Sequence, residues 1–294
     1  MIVSIFIAVI ALKILYSKTL QLSDINISLD CNTFNLTAII VLIFCNWFLE
    51  SLKWKVLTQN ITNYNIFQAF IRISVGFVVG LITPMRLGEL IGRSFTEAKN
   101  RNDLLIASLV SSGFQFLTTI LFGIGGLIIF AAYFNISFLQ FYWWHYVIFL
   151  LIISVMFFGY KYFNKSNKIK VKKVLSFYTY DILIQVYLLS ILRYIIFIFQ
   201  GYLIFNSFNL NIDFVMVFMI FSIYFLINSF LPTVGITEPI VRGGVVLVVF
   251  STYVNNSILI AYATIILWIL NMSLPFIFGL FSLNKFKLLP VKQC

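Results

Sequence analysis

The sequence predicts an all-α polytopic membrane protein: about six full transmembrane helices plus two oppositely oriented re-entrant hairpins, arranged as an inverted repeat. Three observations lead there. The chain of 294 residues is 62% hydrophobic and only 10% charged, against the roughly 25% charged residues of an average soluble domain, and its mean hydropathy is +1.03. Apolar runs near the ~20 residues that cross a bilayer recur along its whole length. Finally, two stretches nearly repeat each other: LITPMRLGELIGR at 81–93 and LPTVGITEPIVR at 231–242. Each has a proline (Pro84, Pro232), a glycine (Gly88, Gly235), a glutamate (Glu89, Glu238) and, four residues after the glutamate, an arginine (Arg93, Arg242). Glutamate and arginine are costly inside hydrocarbon, so a repeated charged helix-breaker points to a site shared by two membrane repeats.

In order along the chain, residues 2–16 predict a first helix, retained because it lacks a basic leader and a small-residue cleavage site. A polar loop with Asp24 and Asp30 follows, then a helix over 34–52 that ends at Lys53 and Lys55. Residues 67–83 run into the first motif and 88–98 lead out of it. A long span over 104–133 carries Gly123, Gly125 and Gly126, which allow close helix approach. Tyr142, Trp143, Trp144 and Tyr146 suit an interfacial aromatic belt, and 146–163 returns to a lysine-rich linker. The second half repeats the plan: a span over 180–205, a polar turn with Asn209, Asn211 and Asp213, an apolar run over 214–230 into the second motif, an exit over 239–252, and a last span over 258–281. The expected organisation is one membrane domain, 1–294, with repeat halves 1–163 and 164–294.

The net charge of +11 is distributed as in a membrane protein, not along a nucleic-acid-binding face. If the loops at 53–65, 99–103, 161–175 and the C-terminal tail are cytoplasmic, they hold 13 of the 20 Lys and Arg, as the positive-inside rule requires. Both termini are then cytoplasmic. The first motif enters from and returns to the cytoplasmic side, and the second does the same from the outer side. Proline and glycine suit a helix break at each motif, tolerated at membrane depth where it is buried in protein or lines a wet cavity.

Five of the six arginines, Arg72, Arg86, Arg93, Arg193 and Arg242, fall in apolar or motif segments. Taken singly, Glu89–Arg93 and Glu238–Arg242 suit structural ion pairs, being four apart on one helix face. Taken together, five arginines against two motif glutamates leave excess positive charge, which favours an anionic, phosphate-bearing ligand near the midplane. Half-helices starting after Gly88 and Gly235 would aim their positive ends at the same place. Gln200, seven residues after Arg193, shares its face and suits either the cavity or a helix-packing hydrogen bond. Asn228 suits a backbone cap, Asn271 with Pro275 a kink, His145 the interface, and Lys13 a snorkelling position. Cys31, Cys45 and Cys294 have no metal-like spacing. P-loop, HExxH, GxSxG and CxxC patterns are absent, so neither a metal nor a cofactor is expected.

These segments resemble the lysylphosphatidylglycerol synthase transmembrane family, the flippase-like region of the multiple peptide resistance factor. The resemblance is carried by TPMRLGELIGR at 83–93 and LPTVGITEPIVRGG at 231–244, with support from LESLKWKVL around Trp54, LLSILRYIIFIFQ at 188–200 and LWILNMSLP at 267–275. The second motif departs from the first in having Thr237 before Glu238 and Pro239 after it. The resemblance implies a lipid translocase fold, in some members fused to an aminoacyl-phospholipid synthase whose catalytic domain these residues do not contain. The expectation is a bacterial inner-membrane translocase for a phospholipid or polyprenyl-phosphate lipid, working alone or beside a separate lipid-modifying enzyme. Arg86, Arg93, Arg193 and Arg242 would bind the head-group phosphate, while Glu89 and Glu238 would hold the arginines or bind a proton or head-group amine. The alternatives are a membrane enzyme acting on a lipid-linked substrate and a non-transporting partner of a lipid synthase.

Overall fold

The computed structural model describes residues 33–97, 100–135, 178–210, 212–231, 233–235, 237–251, 253 and 256–283. Among these residues the regular structure is helical: α1 Thr33–Thr58, α2 Ile66–Ile82, α3 Leu87–Phe95, α4 Arg101–Tyr133, α5 Tyr180–Ser207, α6 Phe214–Phe230, α7 Glu238–Phe250 and α8 Ser257–Leu283. Four of them, α1, α4, α5 and α8, are long and apolar enough to cross a membrane. At 1.5 Å per residue they run roughly 40–50 Å, more than a ~30 Å hydrocarbon layer. The expected spans at 2–16 and 146–163, the aromatic belt with His145, the linker at 161–175, Pro232 and the C-terminal tail lie outside the described residues.

The order long, short, short, long occurs twice. The two 17-residue helices α2 and α6 are offset by the interval between the motif prolines, 66 to 214 at their starts and 82 to 230 at their ends. Their N-caps keep the same offset. Asn65 accepts from the Gln68 N–H at 2.8 Å, and Asp213 accepts from the Met216 N–H at 3.2 Å, satisfying donors that the first helical turn leaves open. Packing also exchanges between halves: α2 lies on α8, α6 lies on α4, and α1 and α5 pack together.

Contacts along α4 fix the direction of each hairpin. At its start, Arg101 covers the Phe95 ring at 4.2 Å, and Asn100 donates to the Ile61 carbonyl at 3.3 Å, both at the base of the α2–α3 hairpin. Midway, Phe116 meets Phe230 edge-on at 5.7 Å beside the second tip. At its far end, Phe130 contacts Phe250 and Tyr253 at the base of α7. The two bases therefore sit at opposite ends of one spanning helix, and the hairpins enter from opposite sides. Their tips meet: Pro84 and Val234 form an antiparallel bridge, and the Met85 N–H donates to the Thr233 carbonyl at 2.8 Å.

The first tip breaks differently from the expectation that Gly88 does it. The left-handed residues are Met85 and Arg86, both at φ 54°, and no described glycine has positive φ. That conformation costs a non-glycine residue roughly 1–2 kcal/mol. Gly88 is already the second residue of α3 and serves close approach, since a Cβ there would stand 2.5 Å from the Val79 carbonyl oxygen. Its N–H donates to Thr83 Oγ1 at 2.7 Å. Gly235 serves the contact between tips, because a Cβ there would stand 2.6 Å from Leu81 Cα.

Pro275 lies inside α8 and leaves the Asn271 carbonyl, four residues earlier, without its helical donor. Trp47 supplies one from α1, its indole N–H donating to that carbonyl at 2.8 Å. The same ring meets Phe70 and Phe77 of α2 edge-on, so one side chain ties α1, α2 and α8 together.

Candidate functional site

A cavity of about 440 Å³ lies where the hairpin tips meet, walled by α1, α4, α5 and both hairpins. Its charged lining has two parts. On one wall, Glu50 of α1 pairs with Lys53 at 2.7 Å, with Arg93 of α3 at 3.0 Å, and with Arg193 of α5; Arg93 also pairs with Glu89. On the other wall, Glu238 of α7 pairs with Arg242, whose Nε donates at 2.9 Å, and with Arg86 from the first tip at 2.5 Å. Arg242 also donates to the Tyr224 hydroxyl. Burial is deep: Glu50 is 3% exposed, Lys53 1%, Arg93 4% and Glu238 5%.

Local sequence explains the placement. The i, i+4 spacing of glutamate and arginine puts each motif pair on one face of a half-helix. The tight α2–α3 contact rests on glycines: a Cβ on Gly92 would stand 2.7 Å from Gly76 Cα. Arg193 is held sideways by Asn46 Oδ1 at 2.7 Å and reaches Gln115 Oε1 at 3.4 Å. On α4, Ser111, Ser112, Gln115 and Thr119 line the cavity at helical spacing. Arg86 also faces aromatic rings of Phe77 and Trp268, at 5.4 and 6.0 Å, a favourable environment for guanidinium.

Of the residues expected at the site, Arg86, Glu89, Arg93, Arg193, Glu238 and Arg242 all line this one cavity. Gln200 does not. It is fully buried and neither side-chain polar atom has a hydrogen-bond partner. Seven residues along α5 is about 10 Å, and the cavity's lining on α5 runs from Arg193 to Phe197. Arg72 also stands apart, paired with Glu97 at 3.3 Å and covering the Tyr64 ring at 3.9 Å at the base of the first hairpin. Burial pushes the Tyr64 phenol up from its ordinary pKa. Asn228 reaches the cavity rather than only capping backbone, while its amide donates to the Tyr224 carbonyl at 2.9 Å. The half-helices expected to start after Gly88 and Gly235 start at Leu87 and Glu238, so Glu89 sits in the first turn of α3 and Glu238 opens α7. The positive ends of these half-helices already face carboxylates.

Four participants were not singled out from the sequence: Glu50, Lys53, Asn46 and Tyr224. The two lysines read as the end of the helix over 34–52 belong to α1, which continues to Thr58, and Lys53 is buried within it. Glu50 carried a readable signal, a carboxylate inside an apolar span three residues before a lysine. With these included, the described residues lining the cavity supply five cations (Lys53, Arg86, Arg93, Arg193, Arg242) and three carboxylates (Glu50, Glu89, Glu238).

A family model described as Lysylphosphatidylglycerol synthase TM region matches residues 1–279 of the 294. Comparison with curated proteins and with solved structures returns no match.

Proposed function

The chain belongs to the lysylphosphatidylglycerol synthase TM region family, and from that premise we propose that it is a lipid translocase, moving a phosphate-bearing lipid between the leaflets of a bacterial plasma membrane with both termini cytoplasmic. Family membership and four spanning-length helices make it a multi-pass membrane protein connected with lipid metabolism or translocation. The observation that carries the finer reading is the position of the cavity: a positively charged chamber at the point where hairpins from opposite sides touch tip to tip.

A head group crossing hydrocarbon needs a polar stopping place, and arginines held by carboxylates give one without waiting for water to reorganise. About 440 Å³ is within the usual range for small-ligand sites, roughly 300–1,000 Å³. Arg86, Arg93, Arg193 and Arg242 hold the phosphate in this reading, and Glu50, Glu89 and Glu238 hold the arginines. Ser112 of α4 and Ser229 of α6 line the cavity and are exposed. They mark a polar way in from the bilayer while the tails stay in lipid. Separation of the tips from one side and then the other passes the head group across.

The test is lipid movement in vesicles reconstituted with the purified chain. Arg93→Ala and Arg242→Ala should each slow head-group movement by about tenfold or more, equivalent to at least ~1.4 kcal/mol. Undiminished movement in both variants overturns the site.

A further inference from the structure

The two charged walls are each unbalanced by one unit. Lys53, Arg93 and Arg193 face Glu50 and Glu89; Arg86 and Arg242 face Glu238. Among the described residues the first wall is therefore +1, the second is +1, and the chamber between them is +2. Each wall also borrows an arginine across the repeat. Arg193 of the second half reaches Glu50 of the first, and Arg86 of the first half reaches Glu238 of the second. Donors remain to spare: the Nε atoms of Arg86 and Arg93, both of which line the chamber, are buried with no partner among the described residues. Arg93 lines the chamber and is 4% exposed.

Excess charge on side chains buried in protein acts more strongly than it would in water. An anion carrying one negative charge neutralises one wall and leaves the other. A head group with a net positive charge is opposed by both walls. An anion carrying two charges, with oxygens directed to both sides, neutralises the pair and can take the spare donors in bidentate fashion.

We propose that the chamber selects a dianionic phosphate monoester and discriminates by charge against phosphodiester and cationic head groups. This rests on the translocase reading for the lipid's movement, but the charge selection is a property of the binding site itself. A phosphate monoester can come from a lipid or from free phosphate in solution, and both meet the same arginines.

The experiment uses the purified full chain in detergent micelles at pH 7, where a phosphate monoester is already largely dianionic, titrated with short-chain phosphatidic acid, with phosphatidylglycerol of the same chains, and with inorganic phosphate, and read by thermal shift and tryptophan fluorescence. Phosphatidic acid should bind about tenfold or more tightly than phosphatidylglycerol, a tenfold ratio being about 1.4 kcal/mol. Lys53→Gln, which lowers the chamber to +1, should bring that ratio near one. Glu89→Gln, which raises it to +3 while Glu50 still holds Arg93, should increase it, and tighter binding cannot arise from a misfolded variant. Equal binding of the two lipids by the unaltered chain, or a preference for a cationic head group, overturns the proposal. Inorganic phosphate binding as tightly as phosphatidic acid overturns the lipid as its source. Movement of neither lipid in vesicles, with the binding preference intact, overturns the translocase reading alone.

Discussion

Glu50 holds more of the site together than either motif glutamate. Its two oxygens meet Lys53, Arg93 and Arg193, and so one carboxylate joins α1, α3 and α5. Removing one partner of a buried charge pair typically costs about 3–5 kcal/mol, because the charges left behind remain desolvated. Glu50→Gln should therefore lower thermal stability in detergent markedly. Glu89→Gln should cost much less, because Arg93 keeps its 3.0 Å contact with Glu50 and Glu89 is more exposed than Glu50. Equal losses in the two variants would contradict this ranking. The sequence pattern exposed the motif residues because each glutamate stands four before its arginine, whereas Glu50 meets Arg93 and Arg193 only through tertiary packing, 43 and 143 positions away. Gln200 was misplaced for the complementary reason: a shared helix face says nothing about how far along the helix a cavity extends.

The α2–α3 hairpin depends on small residues at the turn and between its arms. Gly88 touches the Val79 carbonyl and Thr83, and Gly92 touches the Gly76 backbone. Overpacking a close contact costs typically about 1–3 kcal/mol. Gly88→Ala should thus destabilise the hairpin by that order and displace Arg86 and Glu89, seen as a lower melting temperature together with slower head-group movement; unchanged values for both would contradict the close-packed tip. Where α1 packs against this hairpin and α8, Trp47→Phe keeps the ring packing but leaves the Asn271 carbonyl without the indole donor. An unsatisfied buried acceptor costs about 1–3 kcal/mol, so this variant should melt lower, while Phe70→Leu should lose mainly ring contact. The hairpins themselves were legible from proline and charge. The left-handed Met85 and Arg86 were not, since nothing in their residue types favours positive φ; contact with the opposite tip selects it.

At the scale of the molecule, two halves with the same helix order approach from opposite sides and complete each other's ion pairs. Charge asymmetry between loops was enough to read the opposed hairpins, because lysine placement tracks membrane sidedness. The chamber's net charge needed the structure, because it depends on Lys53 being inside the helix and Arg72 being at the hairpin base. The central claim is that a phosphate head group passes through this chamber as the tips part. A disulfide across the bridge tests it most directly. Paired antiparallel residues stand roughly 4.5–5.5 Å apart at Cα, within disulfide reach, and Pro84 and Val234 are such a pair. In a chain with its native cysteines changed to serine, Pro84→Cys with Val234→Cys should form the cross-link, confirmed by mass. Head-group movement in vesicles should fall by about tenfold or more under oxidising conditions and return when the disulfide is reduced. Movement at the same rate with the tips cross-linked would contradict passage between them.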